Sequence, residues 1–263
     1  MASPLLFATL GALCSEYAGV LAVFMDGAIT FSGFVCIAIT GLTGNAPTGF
    51  VAAAGITILL LFLIAQFTER TRANPFITGL SVNLFAAGIT SWLSASIYKT
   101  RGVITLASLG VSTGFTGKLA FPAAVLTALI LAVVLHFTGF GLNLRISGSS
   151  GEVLTARGIS PARYRTISWC IAAFLAACAG SVLALRLGAF VPNLSAGRGW
   201  TALAAVYLGY RNPLLCVLAV FVFSAAEYIT NIMQGTGHLP GTLILGLPYA
   251  LALLVFILIP RKK

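Results

Sequence analysis

The sequence predicts an all-α, polytopic helical membrane protein, and three observations carry that prediction. Charged residues make up 8% of the 263-residue chain and apolar ones 59%, with a mean hydropathy of +1.04. A soluble domain carries roughly 25% charged residues, so water cannot be the main solvent for this surface. Apolar runs of about 20 residues recur along the whole length, each long enough to cross a hydrocarbon core roughly 30 Å thick. Runs such as ILLLFLIA and LALLVFILI do not alternate polar with apolar positions as barrel strands do. Backbone amides in hydrocarbon must be bonded internally, so these runs read as helices.

In chain order the apolar segments fall at about 4–24, 27–44, 49–67, 76–98, 120–141, 166–186, 200–210, 213–234 and 239–260. That gives eight or nine crossing segments in one transmembrane domain over 1–263. One of them is a broken or half helix: residues 190–212 hold an apolar core of about ten residues behind a lead-in rich in Gly, Pro and Asn. Irregular backbone at membrane depth survives only when buried in protein or lining a cavity.

The connectors set the orientation. Thr68–Pro75 carries Arg70 and Arg72, and the polar island Gly141–Arg165 carries Arg145, Arg157, Arg163 and Arg165. Two crossings separate them, so both can face one side, joined by the terminal Arg261-Lys262-Lys263. The positive-inside rule places that side in the cytoplasm, although the opposite loop at 99–119 also holds Lys99, Arg101 and Lys118. The net charge of +10 therefore reads as topology and not as nucleic-acid binding, since no basic helix or aromatic-basic interleaving accompanies it. The basic n-region of a cleavable signal peptide does not precede the first apolar run.

Chemistry finds little support. The five cysteines lie in or beside apolar runs without C-x-x-C spacing and read as small hydrophobes. His136 and His238 lack a carboxylate at ligand spacing, so no metal site is expected. Gly114–Lys118 (GFTGK) lacks the flanking residues of a phosphate loop. Two carboxylates, Glu16 and Asp26, fall within or between apolar segments; each is a functional candidate or a bond between neighbouring helices. Small residues four apart form helix-packing stripes at Gly11/Ser15/Gly19, at Gly79/Asn83/Ala87/Ser91 and at Ala172/Ala176/Gly180/Ala184. The stripe bearing the Asn83 amide is the one that can also face a polar pathway.

Ordered motifs run along nearly the whole chain. They are Pro4-Leu5-Leu6, Leu10-Gly11-Ala12-Leu13, Ser15-Glu16, Gly19-Val20, Asn74, Gly79-Leu80, Asn83-Leu84, Gly88 and Thr90-Ser91. Gly141-Leu142, Arg145, Gly148, Ala156, Gly158 and Ile159 follow, then Ala196-Gly197-Arg198-Gly199, Ala202, Ala204-Ala205, Leu208-Gly209, Asn212-Pro213 and Leu247-Pro248-Tyr249. Together they resemble the permease subunits of ABC importers in the branched-chain amino acid and ribose-type group. Within it the likeness is to nucleoside-type permeases that work with basic-membrane-protein-type lipoprotein receptors. Two departures stand out: Asp26-Gly27 replaces the usual Glu-Gly, and the extra helix that members carry before the Pro4 position is missing. The second departure implies a late start of the sequence or a bundle one helix short.

The resemblance implies a multi-pass subunit of the bacterial cytoplasmic membrane, not itself an enzyme, that moves a purine nucleoside by alternating access. Riboflavin or a simple sugar is next in line, and a stand-alone secondary transporter or channel is the alternative. It implies no cofactor in this chain, with ATP and magnesium on an ATPase subunit. The other partners implied are a second homologous permease subunit (a heterodimer first, a homodimer second), an extracytoplasmic lipoprotein receptor and the lipid bilayer.

Within the island, the coupling loop at about 142–165, the resemblance assigns Gly148, Ser150, Glu152, Ala156, Arg157, Gly158 and Ile159 to a short coupling helix gripped by the ATPase. Local chemistry agrees: Ser149 or Ser150 can cap a start, Glu152 suits a first turn, Arg157 a last turn and Gly158 an end. The plainer reading is a solvated loop held cytoplasmic by its arginines. For the pathway, Glu16, Asp26, Asn83, Ser91, Trp200 and Tyr207 are the candidates, each with helix packing as its plain alternative.

Overall fold

The structure, a computed structural model, describes residues 2–110 and 119–236. The helices are α1 (Ala2–Tyr17), α2 (Met25–Thr43), α3 (Ala46–Thr71), α4 (Pro75–Tyr98), α5 (Ala120–Phe137), α6 (Gly139–Ser149), α7 (Gly151–Ala156), α8 (Pro161–Leu187), α9 (Arg198–Leu208) and α10 (Pro213–Thr236). A two-residue ladder pairs β1 (Ile104–Thr105) with β2 (Ala189–Phe190), antiparallel. Six of these helices (α2, α3, α4, α5, α8 and α10) are long and apolar enough to cross a membrane. The segment expected at 239–260, the Leu247–Tyr249 motif, the basic terminus, His238 and Gly114–Lys118 lie outside the described residues.

Helix ends follow local chemistry. Pro161 opens α8 and Pro75 opens α4, where the Asn74 side chain accepts the Phe76 amide at 2.9 Å. Left-handed residues close α2 at Gly44 (φ 69°) and α8 at Gly188 (φ 59°). The polar ends of two predicted spans are helical as well. α3 runs through Glu69 and Arg70 and α8 includes Arg163 and Arg165, so Arg165 reaches Glu69 at 3.7 Å and ties the two helices.

α8 is the centre of the bundle, with α1, α2 and α3 around it. The small-residue stripe on α8 is what lets them in. A Cβ on Gly180 would fall 2.2 Å from Ser32 Oγ and 2.3 Å from the Ile29 carbonyl oxygen, so α2 and α8 cross with backbones nearly touching. Outside this core, α3, α4 and α5 turn Leu59, Leu63, Phe67, Leu84, Trp92 and Ile130 outward, the apolar surface that lipid requires.

Three sequence expectations change. The segment 4–24 is helical only to Tyr17; residues 18–24 are irregular yet mostly buried, with Gly19 at φ 78° and Phe24 stacked on Trp169 at 4.2 Å. The hydrophobic pattern hides this break because every residue but Gly19 in it is apolar. The segment 120–141 ends at Phe137, where Thr138 turns the chain and accepts the Gly141 amide to start α6. The island at 141–165 is therefore not an open loop: α6, α7 and the start of α8 take up most of it, with Leu144 and Leu154 fully buried.

The half helix predicted within 190–212 is α9. Its lead-in holds Asn193, Ala196 and Gly197 at positive φ, which places the start of α9 within the bundle beside α2. The bundle thus has a basic end, with α6, α7 and the 72–74 connector, and a hairpin end, with the β1–β2 ladder.

Candidate functional site

Two polar places stand out, one at each end of α9. Near its N-terminus a cavity of about 300 Å3 opens between α2, α4 and the lead-in to α9, lined by Asp26, Asn83, Ser91, Ser94, Arg101 and Asn193 among others. Asp26 lies in the first turn of α2, and its Oδ1 also accepts the Gly199 amide of α9 at 3.1 Å and the Ser195 hydroxyl. One carboxylate thus meets the positive ends of two helices, where negative charge is favoured. Gly199 has no alternative there, because a Cβ would sit 2.3 Å from the Asp26 amide nitrogen.

Asn83 also lines this cavity, but both of its amide atoms are engaged. Nδ2 donates to the Val23 carbonyl at 2.8 Å and Oδ1 accepts the Gly27 amide at 2.7 Å. It holds the irregular 18–24 segment and the start of α2 against α4, so this amide is first a tie between helices. Ser94 differs: its buried hydroxyl has no hydrogen-bond partner among the described residues and borders the cavity. Just beyond, Arg198 forms an ion pair with Glu227 of α10.

At the C-terminal end of α9, Glu16 is nearly sealed, its side chain 3% exposed. Its Oε2 accepts the Tyr207 hydroxyl at 2.9 Å and Arg211 Nη2 at 3.1 Å. Its Oε1 is buried without a hydrogen-bond partner among the described residues. Arg211 lies over the Tyr207 ring at 5.6 Å, and its carbonyl accepts the Tyr17 hydroxyl. Arg145 of α6 covers the Tyr17 ring at 5.3 Å and donates to the Leu135 carbonyl, so α6, α1 and α9 meet here around a cavity of about 360 Å3.

The structure therefore divides the six pathway candidates. Asp26, Asn83 and Ser91 share the first cavity, Glu16 and Tyr207 bond each other at the basic end, and Trp200, 45% exposed, lines neither. Sequence reading missed Ser195, Ser94 and Arg211; the polar dipeptide Arg211-Asn212 directly after the half helix was the one local signal.

Of the seven coupling candidates, Glu152 and Ala156 lie in α7, Ser150 and Arg157 cap it, Gly158 and Ile159 follow it, and Gly148 belongs to α6. Gly148 packs on Gly19, and Glu152, Ala156, Arg157 and Gly158 are exposed. Ser150 occupies the N-cap without a side-chain bond, and Arg157 follows the helix as its C-cap instead of sitting in its last turn. Gly158, at φ 74°, sends its amide to Thr155 and lets the Ile159 amide return to the Leu154 carbonyl at 2.9 Å. Leu154, absent from the sequence reading, is the buried anchor, and Val153 beside it is 48% exposed. No group of three His, Cys, Asp or Glu side chains able to hold a metal occurs among the described residues.

The described residues form a helical bundle with six helices able to cross a membrane and polar cavities at both ends of an internal half helix, the frame of a multi-pass membrane protein. Residues 1–260 match the model of the branched-chain amino acid transport system/permease component family, and the chain belongs to that family. It is 25% identical to the nucleoside ABC transporter permease protein NupC of Lactococcus lactis, over 99% of this chain and 90% of that protein. It is 25% identical to the guanosine ABC transporter permease protein NupQ of Bacillus subtilis, over 96% and 87%. It is 24% identical to the ribose import permease protein RbsC of Escherichia coli K12, over 82% and 63%. No solved structure gives a significant match. The chain is thus an ABC importer permease component of the inner (cytoplasmic) membrane, a transport subunit and not itself an enzyme.

Proposed function

We propose that this chain is one of two permease subunits of an importer for a purine nucleoside, working by alternating access. A flavin or a simple sugar is the next substrate class. The subunit forms one permease domain of eight or nine crossing segments, and its basic end faces the cytoplasm. There α7 docks on an ATPase that binds ATP and magnesium. A lipoprotein receptor delivers solute at the hairpin end, and a second homologous permease subunit, a different chain first and a second copy of this one next, completes the pathway.

The observation that carries this reading is the form of α7. A six-residue helix held by one buried leucine presents Glu152, Val153, Thr155, Ala156 and Arg157 outward from the basic end. Such a surface on a membrane bundle is open to a soluble partner. The 300 Å3 cavity supports the pathway assignment of Asp26 and Ser91, because a polar cavity between helices cannot open on hydrocarbon. The two relatives whose names carry nucleoside or guanosine support the substrate class.

The test is reconstitution in proteoliposomes with the ATPase, the second permease and the receptor. Receptor loaded with guanosine or adenosine is expected to stimulate hydrolysis and uptake, with flavins and sugars weaker. Glu152→Ala with Arg157→Ala is expected to abolish both; unchanged uptake in that variant refutes the coupling role. Uptake without the ATPase, driven by an ion gradient, would point to a secondary transporter instead.

A further inference from the structure

Both ends of α9 are held by carboxylates from one short stretch of chain. Asp26 takes the Gly199 amide and the Ser195 hydroxyl at the start of the helix, and Glu16 takes Tyr207 and Arg211 at its end. Eleven residues of helix, about 16 Å at 1.5 Å per residue, are thereby bracketed by positions 16 and 26. Between those positions the chain is firmly placed: Asn83 binds it at Val23 and Gly27, and Phe24 stacks on Trp169.

This bracket touches the coupling region directly. A Cβ on Gly148 would fall 2.4 Å from the Tyr17 carbonyl oxygen and 2.6 Å from the Gly19 amide nitrogen. The contact is backbone on backbone, with no side chain to absorb displacement, and α7 begins three residues after Gly148. Arg145 over the Tyr17 ring fastens the same place from α6. Close-packed contacts pass small shifts on because they cannot deform continuously.

We propose that Glu16 is the positioning residue that carries movement of α7 to the half helix: residues 16–26 and α9 move as one piece, and the Glu16–Tyr207–Arg211 joint links them at the basic end. The far end of that piece is Asp26, which lines the 300 Å3 cavity near the start of α9 and accepts the Ser195 hydroxyl. Displacement of Gly148, at the end of α6 directly before α7, toward or away from Gly19 therefore changes the cavity without unfolding either helix end. Glu16 suits this task because Tyr207 and Arg211, 191 and 195 residues away in sequence, bring the end of α9 onto it. This inference rests on the reading of α7 as the ATPase contact.

The experiment uses the reconstituted importer and reads ATP hydrolysed per solute taken up. Glu16→Gln keeps an acceptor for Tyr207 and removes the charge that holds Arg211; it is expected to raise the ratio at least about fivefold. Tyr207→Phe, which leaves the ion pair, is expected to raise it about twofold. A ratio equal to wild type in both variants, whether or not the two rates fall together, overturns the proposal. A second readout does not depend on transport. With the native cysteines replaced, spin labels at positions 157 and 200 are referenced to a label at position 63 on α3. ATP is expected to move both labels in the wild-type background and only the label at 157 in Glu16→Gln. Movement at 200 that persists in Glu16→Gln overturns the proposal as well. A wild-type importer that takes up no nucleoside refutes the substrate reading alone and leaves the label experiment decisive.

Discussion

Gly19 and Gly148 meet so closely that a Cβ on Gly19 would lie 2.8 Å from the Gly148 Cα. Neither position has room for a methyl group, and Gly19 is also left-handed at φ 78°. Gly148→Ala is expected to cost about 1–3 kcal/mol, the usual range for forced overpacking. Gly19→Ala adds backbone strain on top. Both should lower the thermal midpoint of detergent-solubilised protein, with Gly19→Ala the larger drop. A midpoint unchanged in both would show that α6 can retreat from the 17–19 turn.

The Asp26 carboxylate should tolerate loss of charge better than loss of shape. Asp26→Asn keeps an oxygen for the Gly199 amide, whereas Asp26→Ala leaves that amide and the Ser195 hydroxyl without a partner. Leaving buried donors unsatisfied costs about 1–3 kcal/mol, so the alanine variant should melt lower than the asparagine variant. An equal drop in both variants would mean that the helix-end charge, not the hydrogen bond, sets the position of α9.

Two ion pairs at the basic end should behave differently. Arg165 and Glu69 stand 3.7 Å apart with side chains 39% and 19% exposed, and such pairs contribute about 0–1 kcal/mol. Arg211→Ala instead strands Glu16 with Tyr207 alone. Stripping a buried pair of one partner costs about 3–5 kcal/mol; Arg211 is half exposed, so about 2 kcal/mol is expected. Thermal scans of Glu69→Gln and Arg211→Ala side by side, in low and high salt, give the comparison. Salt should matter more for Glu69→Gln.

Neighbouring residues on α7 should separate stability from docking. Leu154→Ala removes the buried anchor and should cost about 2–5 kcal/mol. Val153→Asp alters a half-exposed side chain and should leave the thermal midpoint alone while weakening capture of the ATPase at least tenfold in a pull-down. Retained capture by Val153→Asp would remove Val153 from the contact.

What could be read from the chain follows from how far apart the interacting groups lie. The half helix α9 was legible because Pro192, Asn193, Gly197 and Gly199 interrupt an apolar run locally. Glu16 and Asp26 were legible as carboxylates in apolar surroundings. Their partners Ser195 and Arg211 were not, being 169 and 195 residues distant. The break after Tyr17 was hidden because Val20, Leu21, Ala22, Val23 and Phe24 are as apolar as any helix, while tertiary contacts to Asn83, Trp169 and Gly148 and the Ser15 hydroxyl on the Val20 carbonyl hold them irregular. The island misled in the opposite direction. Its arginines suggested a solvated loop, yet Arg145 is drawn in over Tyr17 and Leu144 is sealed.

The small ladder at the hairpin end has a consequence for whatever approaches from that side. Ile104 pairs with Phe190, Thr105 with Ala189, and the Leu106 amide reaches the Gly188 carbonyl at 2.8 Å. The stretch after α4 and the end of α8 are thus stitched together, and Phe190 carries that stitch into the wall of the 300 Å3 cavity. A visiting protein meets paired strands there instead of two free loops.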